Sequence, residues 1–189
     1  MRFEETSLAD VRIIRGEPFV DERGTFARTF CRRDYGDLSF DIKQMSISEN
    51  RRAFTLRGFH FQRKPFEEIK TITPLRGSLY DIVVDLRAES PTYLRWEAYE
   101  LNSRQYEGVY VPRGCANAWL TLEEDTLVTY CMSEFFAPEH YAGIRYDDPF
   151  FRFRWPREPE VVSARDRGFA AFRPGEEGVG SGGDERRHS

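Results

Sequence analysis

A succession of short strand-like runs, separated by turn residues, most constrains the fold of this chain of 189 residues. In residues 79–86, apolar side chains at every second position share one face, while Asp81 and Asp85 share the other, as in a strand. Gly77 precedes this run and Pro91 follows it. Similar runs lie at residues 41–48, 54–62, 70–75, 96–101, 108–111, 118–122 and 127–133.

Many short strands with few helices predict an all-β protein, a jelly-roll β-barrel with a few short helices that closes around a cavity. Weak helical periodicity is confined to the Arg-rich residues 29–38. Side chains alternate between the inside and the outside of a barrel. This alternation assigns one shared face to Leu56, Gly58, His60 and Gln62, and another to Val128, Tyr130 and Met132. Both sets suit a partly apolar interior.

Length and composition predict one domain over residues 1–172 and a disordered tail over residues 173–189. A chain of 189 residues fills one core well, whereas two independent domains would each be small. The segment 174–189 is rich in glycine and charged residues and cannot bury enough apolar surface to order itself. His188 is therefore expected in the tail and outside any site.

Charge and cysteine content argue against a nucleic-acid-binding protein and against a protein stabilised by disulfides. The chain has 28 basic and 32 acidic side chains, interleaved, which gives a net charge of −4 and no basic stripe for a nucleic acid. The N-terminus lacks the apolar segment of a signal peptide, and no apolar run is long enough to span a membrane, so we expect a cytoplasmic protein. Three cysteines without a CxxC motif do not indicate a disulfide framework.

No metal and no cofactor are expected. A metal site needs three or four nitrogen, oxygen or sulfur ligands, and His60 and His140 are distant in the sequence. A Gly-rich phosphate loop and a dinucleotide fingerprint are both missing. The many arginines in the first third of the chain suit a small phosphate-bearing ligand, and they suit a solvated surface equally well.

His60, Lys70 and Tyr130 lie in three different predicted strands. Each alone is more often structural: a histidine in a hydrogen-bonded core, a solvated lysine, a packed tyrosine. An imidazole, an ammonium and a phenol that meet in one pocket supply a base, an enolate stabiliser and an acid. Their joint placement favours chemistry that moves a proton next to a carbonyl.

Several motifs, in this order, resemble those of the dTDP-4-dehydrorhamnose 3,5-epimerase family. They are residues 21–26 (DERGTF), 56–62 (LRGFHFQ), Lys70, 76–87 (RGSLYDIVVDLR), 90–92 (SPT), 111–114 (VPRG) and 143–149 (GIRYDDP). The resemblance extends over about residues 10–172. It implies a cupin-type jelly roll, a homodimer, a nucleotide-activated 4-keto-6-deoxyhexose as substrate, and no cofactor.

The resemblance also implies roles for individual residues. His60 resembles the base that removes the proton next to the keto group, and Asp166 the carboxylate that pairs with it. Lys70 resembles the cation beside the 4-keto oxygen, and Tyr130 the phenol that returns a proton on the opposite face of the sugar. The implied substrate contacts are Arg57 at the diphosphate, Gln44 and Ser46 at the sugar or nucleotide, and Arg23 and Phe26 reaching the nucleotide from the partner subunit.

Three positions depart from the family pattern. Asn117 stands where the family usually has a histidine near the keto oxygen, and an amide donates a hydrogen bond but does not titrate. Arg28 replaces a glutamate, and Phe136 replaces a tyrosine that stacks on the base of the nucleotide. The nucleotide therefore stays open between dTDP and another such as CDP, and Asn117 leaves open whether C3, C5 or both are inverted.

The predicted function is an isomerase that inverts C3, C5 or both of the sugar through an enolate. A nucleotide-sugar 3,4-ketoisomerase, with the same base and a second proton donor, is one alternative. A catalytically inactive nucleotide-sugar-binding module is the other. A phenol across the sugar ring from the base favours the epimerase.

Overall fold

The computed structural model describes residues 1–38 and 40–175. The helices of this part of the chain are α1 (Ala164–Arg167) and two 3-10 turns, Ser103–Gln105 and Pro138–His140. The strands are β1 (Arg2–Glu5), β2 (Arg12–Arg15), β3 (Phe19–Asp21), β4 (Gly24–Phe26), β5 (Gln44–Asn50), β6 (Thr55–Gln62), β7 (Lys70–Arg76), β8 (Ser78–Asp85), β9 (Trp96–Asn102), β10 (Glu107–Val111), β11 (Cys115–Thr121), β12 (Thr126–Met132), β13 (Tyr141–Gly143) and β14 (Val161–Val162).

The predicted all-β class with a few short helices is confirmed, and every run predicted as a strand overlaps one. The weak helix predicted over residues 29–38 is wrong, because turns occupy residues 32–37 instead. The predicted tail lies outside the described residues from residue 176 onward, as does His188. None of the described helices is long and apolar enough to cross a membrane, and the cytoplasmic location stays a prediction.

Two sheets face each other and form the jelly roll as a sandwich. The first sheet has the strand order β1-β2-β10-β7-β12-β5, and the second has the order β13-β6-β11-β8-β9, with β14 parallel to β6 at its edge. Strands β3 and β4 pair only with each other and form a separate hairpin. The hairpin therefore belongs to neither of the two sheets.

Apolar side chains fill three layers. The inner layer, between the sheets, includes Ile72 and Val128 of the first sheet and Val83 and Trp119 of the second. The outer face of the second sheet is covered by the C-terminal segment, with Ile144, Phe151, Phe153, Trp155 and Phe172 packed against it. Tyr35 and Phe40 help to cover the first sheet on its outer face. Because the second sheet is buried on both faces, polar groups on its inner face lie deep in the molecule.

Strand β6 contains one extra residue relative to its neighbour β11. His60 lies opposite Asn117, and Arg57 lies opposite Trp119, so three steps along β6 match two steps along β11. This is a β-bulge. Gly58 occupies it with a φ of 125°, and an added Cβ would lie 2.5 Å from Cα of Ala118.

The bulge changes which side chains of β6 share a face. The predicted shared face of Leu56 and His60 is wrong, since Leu56 packs with Leu120 and Val162 outside the sandwich. Arg57 takes its place on the inner face, because it lies opposite Trp119 of the inner layer. Strict alternation could not predict this, because an inserted residue reverses the faces of all positions on one side of it.

Candidate active site

Four of the predicted site residues meet between the two sheets. His60 and Asn117 lie opposite each other on the inner face of the second sheet. Tyr130 of the first sheet packs against Trp119, which lies two residues beyond Asn117 on the same face, with a ring-centroid distance of 5.9 Å. Nζ of Lys70, in the first sheet, lies 2.8 Å from the carbonyl oxygen of His60. The base, cation and phenol of the sequence prediction thus face one interior.

Asp166 pairs with His60 across 106 residues of sequence. Its Oδ1 lies 2.8 Å from Nε2 of His60, and its Oδ2 accepts a hydrogen bond from the backbone N–H of Gly58 at 3.4 Å. Ser163, the N-cap of α1, accepts a hydrogen bond from the N–H of Asp166 at 3.0 Å and fixes the start of this helix. The bulge and the short helix together orient the carboxylate toward one ring nitrogen and leave the other nitrogen available as a base.

The surroundings of His60 favour its neutral form. Burial lowers the pKa of the imidazole below its usual 6.5, and the charge of Lys70 acts in the same direction, while Asp166 opposes both. Burial acts to raise the pKa of Asp166, but the hydrogen bond and charge of His60 prevail and hold it below its ordinary value. A neutral imidazole beside a carboxylate is the form that accepts a proton.

Lys70 is buried in a polar network. Only 8% of the residue is exposed. Its Nζ lies 2.9 Å from Oε1 of Glu68 and 3.4 Å from Oδ1 of Asn117, in addition to the carbonyl oxygen of His60. A carboxylate and two neutral oxygens thus surround the Lys70 side-chain nitrogen inside the protein.

The carboxyl group of Asp81 is hydrogen-bonded to the side chain of Asn117. Nδ2 of Asn117 donates to its Oδ2 at 3.3 Å, and within the described residues its buried Oδ1 has no hydrogen-bond partner. Complete burial raises the pKa of Asp81 well above the usual range. Burial therefore favours the neutral form of this carboxyl group over its charged form.

A cavity of about 310 Å³ opens beside the His60–Asp166 pair. Arg57, Tyr141 and Arg165 are among its lining residues. The guanidinium of Arg165 lies over the ring of Tyr141 at 3.9 Å, and Nε of Arg57 donates to Oδ1 of Asn50 at 2.8 Å. Two guanidinium groups at one cavity suit a ligand with several phosphate oxygens.

Gln44, Ser46 and Phe136 lie around the same interior. Ser46 lies opposite Tyr130 in the sheet and shares its face. The backbone N–H of Phe136 donates to Oε1 of Gln44, and the ring of Phe136 packs edge-on against Tyr141 at 5.5 Å. Tyr141 in turn lies 5.2 Å from the His60 ring. Gln44 and Phe136 therefore connect to the His60–Asp166 pair through Tyr141.

Arg23 and Phe26 lie on the separate hairpin. The side chain of Arg23 is 81% exposed and pairs with Asp21, and Phe26 is 69% exposed. Arg28, the third residue of this region that the sequence singled out, lies 3.7 Å from Asp34. None of the described contacts of Arg23 and Arg28 reaches the His60 cavity of the same chain.

Sequence reasoning missed four residues of the site: Glu68, Asp81, Tyr141 and Arg165. Asp81 had a signal, because a lone carboxylate between Leu79 and Val83 stands out in a run buried on both faces. The other three lie next to strand or helix ends, where polar residues are usual. Within residues 1–38 and 40–175, no three His, Cys, Asp or Glu side chains are grouped so that they could share a metal ion.

Comparison with known proteins gives one consistent family. Its model, described as dTDP-4-dehydrorhamnose 3,5-epimerase, matches residues 5–173. The dTDP-4-dehydrorhamnose 3,5-epimerase of Sinorhizobium fredii is 35% identical over 169 residues, covering 88% of this chain and 87% of that protein.

Solved structures agree in fold. The crystal structure of dTDP-4-dehydrorhamnose 3,5-epimerase from Bacillus anthracis, with TDP and PPi bound, has a TM-score of 0.87 and 30% identity, and covers 90% of this chain and 99% of that one. ChmJ, a 3'-monoepimerase from Streptomyces bikiniensis in complex with dTDP-quinovose, has a TM-score of 0.79 and 27% identity, with coverages of 85% and 83%. The match extends through both sheets.

Proposed function

The chain belongs to the dTDP-4-dehydrorhamnose 3,5-epimerase family, and from this membership we propose how its own residues perform the reaction. The enzyme is an isomerase that inverts C3, C5 or both of a nucleotide-activated 4-keto-6-deoxyhexose by removing and returning a proton through an enolate. We propose His60 as the base and Asp166 as its carboxylate partner. Lys70 stabilises the enolate oxygen, and Tyr130 is the acid.

The contact between His60 and Asp166 carries this proposal. Neutral His60 takes the proton from the carbon next to the ketone, and the electron pair of that C–H bond moves toward the keto oxygen. Asp166, 2.8 Å away, stabilises the imidazolium that forms. Because burial lowers the pKa of His60, the ring is in its base form before the substrate is engaged.

Lys70 and Tyr130 act on two atoms of the enolate that this first step forms, its oxygen and its carbon. The ammonium of Lys70 donates a hydrogen bond to the oxygen on which the negative charge develops, which a buried cation does more effectively than one in water. Tyr130 belongs to the opposite sheet from His60 and returns a proton to the other face of the enolate carbon. Return from that other face inverts the configuration.

The nucleotide half of the substrate is held at the rim of the same cavity. Arg57, together with Arg165, binds the diphosphate, and Phe136 stacks on the base. Gln44, Ser46 and Asn117 contact the sugar or the nucleoside. TDP in the Bacillus anthracis structure and dTDP-quinovose in that of ChmJ support a dTDP-linked substrate for this chain.

The active unit is a homodimer in which each hairpin serves the other subunit. Exposed apolar side chains support this arrangement: Phe19 and Phe26 on the hairpin, and Met45 and Ile47 on β5, are each more than 60% exposed in a single chain. A surface of this kind marks a protein contact. Arg23 and Phe26 then reach the partner's nucleotide.

Incubation with a dTDP-4-keto-6-deoxyhexose in D2O, followed by NMR, tests the proposal. We expect deuterium at C3, C5 or both, together with inversion and with the carbonyl still at C4. Migration of the carbonyl to C3 would instead identify a ketoisomerase. Binding of dTDP, measured as thermal stabilisation, without any deuterium entry would identify an inactive binding module.

A further inference from the structure

Within the described residues, the ammonium group of Lys70 contacts three oxygens, all of them from the protein. Nζ lies 2.8 Å from the carbonyl oxygen of His60, 2.9 Å from Oε1 of Glu68 and 3.4 Å from Oδ1 of Asn117. A lysine ammonium carries three N–H donors. These contacts use its full donor capacity, so a keto oxygen that binds Lys70 has to replace one of the three.

Asn117 is the acceptor that the substrate can replace. Its contact is the longest of the three and is made by a neutral amide, which binds an ammonium less strongly than a carboxylate does. Its Nδ2 also donates to Asp81, so the side chain keeps a partner when Lys70 turns away. The carbonyl of His60 belongs to the backbone of β6 and stays in place.

Glu68 is held more firmly than Asn117. Its side chain is 3% exposed, and while Oε1 binds Lys70, Oε2 accepts the backbone N–H of Gln62 at 3.2 Å. Removing a buried carboxylate from its cation would leave two uncompensated charges. Glu68 therefore connects Lys70 of the first sheet to β6 of the second, the strand that carries His60.

We propose that Glu68 is a positioning residue for the epimerisation: with the His60 carbonyl, it fixes two N–H groups of Lys70 so that the third points at the keto oxygen, which takes the place of Asn117. This inference rests on the proposed role of Lys70 as enolate stabiliser. Glu68 itself touches neither the substrate nor the proton in transit.

Two variants of nearly equal volume test the proposal, Glu68→Met without an acceptor and Glu68→Gln with one. Glu68→Met should lower kcat about ten- to a hundredfold, the usual loss of a hydrogen bond to a charged group. Glu68→Gln should recover at least roughly a third of the wild-type kcat, because its amide oxygen still accepts from Lys70. The Kd for dTDP should stay unchanged in both, since Glu68 lies away from the proposed nucleotide contacts.

A wild-type kcat in Glu68→Met would overturn the inference, and so would a kcat of Glu68→Gln as low as that of Glu68→Met. If Glu68→Met does not fold, as judged by thermal stabilisation with dTDP, Glu68→Ala provides the same comparison. A purely structural role would weaken dTDP binding and kcat together. A positioning role lowers kcat alone.

The Lys70→Met background separates this inference from the proposed function. If Glu68 acts through Lys70, the double variant Glu68→Met/Lys70→Met is as slow as Lys70→Met, and a further loss in the double variant contradicts the inference. If Lys70→Met itself is as fast as wild type, the proposed role of Lys70 fails. If Lys70→Met is slow while Glu68→Met is not, only the role of Glu68 fails.

Discussion

Arg57 and His60 face the same interior although they are three residues apart in one strand. In a regular strand, residues an odd number of positions apart point to opposite faces. Here Arg57 lies opposite Trp119 and His60 opposite Asn117, because β6 has one extra residue at Gly58. The bulge thus brings the predicted diphosphate contact and the predicted base to one side of the sheet.

Substitution of Gly58 should therefore be unusually costly. An alanine there would have a φ of 125°, which L residues rarely adopt, and its Cβ would lie 2.5 Å from Cα of Ala118 and 2.6 Å from the carbonyl oxygen of Asn117. We expect Gly58→Ala to lower the free energy of unfolding by about 2–5 kcal/mol, from backbone strain and overpacking together. Urea denaturation at one fixed protein concentration measures this change.

Gly36→Ala is the matched control for that experiment. Gly36 also has a positive φ, of 51°, but an added Cβ there would have no neighbour within 4 Å among the described residues. The control should cost about 1 kcal/mol, from the backbone alone. Equal losses in the two variants would contradict the idea that the bulge packs tightly on Ala118.

Tyr130→Phe and His60→Asn should impair different steps of the reaction, the return of the proton and its removal. Without the base, His60→Asn should lower both deuterium entry and inversion about 100- to 10 000-fold. Without the acid, Tyr130→Phe should still exchange deuterium at the reacting carbon, because His60 can return a deuteron to the face from which it took the proton. Inversion should fall by a similar factor. NMR of the sugar protons in D2O follows both quantities in one sample.

Thermal stabilisation by dTDP is the control, since neither side chain is a proposed nucleotide contact and both variants should retain it. An inversion rate of Tyr130→Phe equal to that of wild type would remove the phenol from the mechanism. If both variants lost deuterium exchange to the same extent, the roles of base and acid could not be told apart. That result would contradict the assignment of His60 as the sole base.

Most of the fold could be predicted from the sequence because alternation is strong wherever a strand has one polar and one apolar face. The runs at 70–75 and 127–133 correspond closely to β7 and β12. The helix predicted over residues 29–38 is wrong for a physical reason. The helical spacing of this segment reflects the aromatic residue Tyr35, which lies in a series of turns and is buried with Phe40 against the first sheet. Tertiary packing there overrides a weak local preference.

The site was harder to predict than the fold. Alternation could indicate that His60 and Tyr130 have an inner face, but no periodicity connects His60 to Asp166, 106 residues away, and only the family resemblance suggested that pair. Glu68 lies in an acidic segment for which the sequence predicts exposure to solvent, although only 3% of its side chain is exposed. The local sequence does not reveal such burial, because burial depends on which strands pack against the segment.

The pH dependence of the reaction should reflect the lowered pKa of His60. The base form is lost as the pH falls through the pKa of the folded protein, which burial places below 6.5. The midpoint of the acidic limb of kcat/KM should therefore lie below pH 6.5. A pH profile of kcat/KM checks this, and a midpoint above pH 6.5 would contradict a buried neutral base.

Asp166→Asn should move that acidic limb in a defined direction. The carboxylate raises the pKa of His60, so its removal lowers this pKa further and shifts the limb to lower pH. The plateau should fall about a hundredfold or more, because the ring loses both its orientation and the partner of its charged form. A limb that moves to higher pH would exclude Asp166 as the partner that favours protonation.

Complementation between two impaired variants should reveal whether the hairpin acts on the partner's site. Arg23→Ala should raise KM about tenfold or more by removing a charge-assisted contact to the nucleotide, and His60→Asn has no base. In a mixed dimer, the subunit with an intact His60 receives the intact Arg23 of its partner, so one of the two sites is complete. Random mixing makes half of the dimers mixed, and kcat/KM should recover to about a quarter of wild type.

His60→Asn mixed with Lys70→Ala is the matched control, because both residues belong to the same subunit's cavity and no complete site can form. A kcat/KM of the first mixture near roughly a twentieth of wild type, the residual activity of the Arg23→Ala sites alone, with dimers seen by sedimentation, would place Arg23 at the cavity of its own chain.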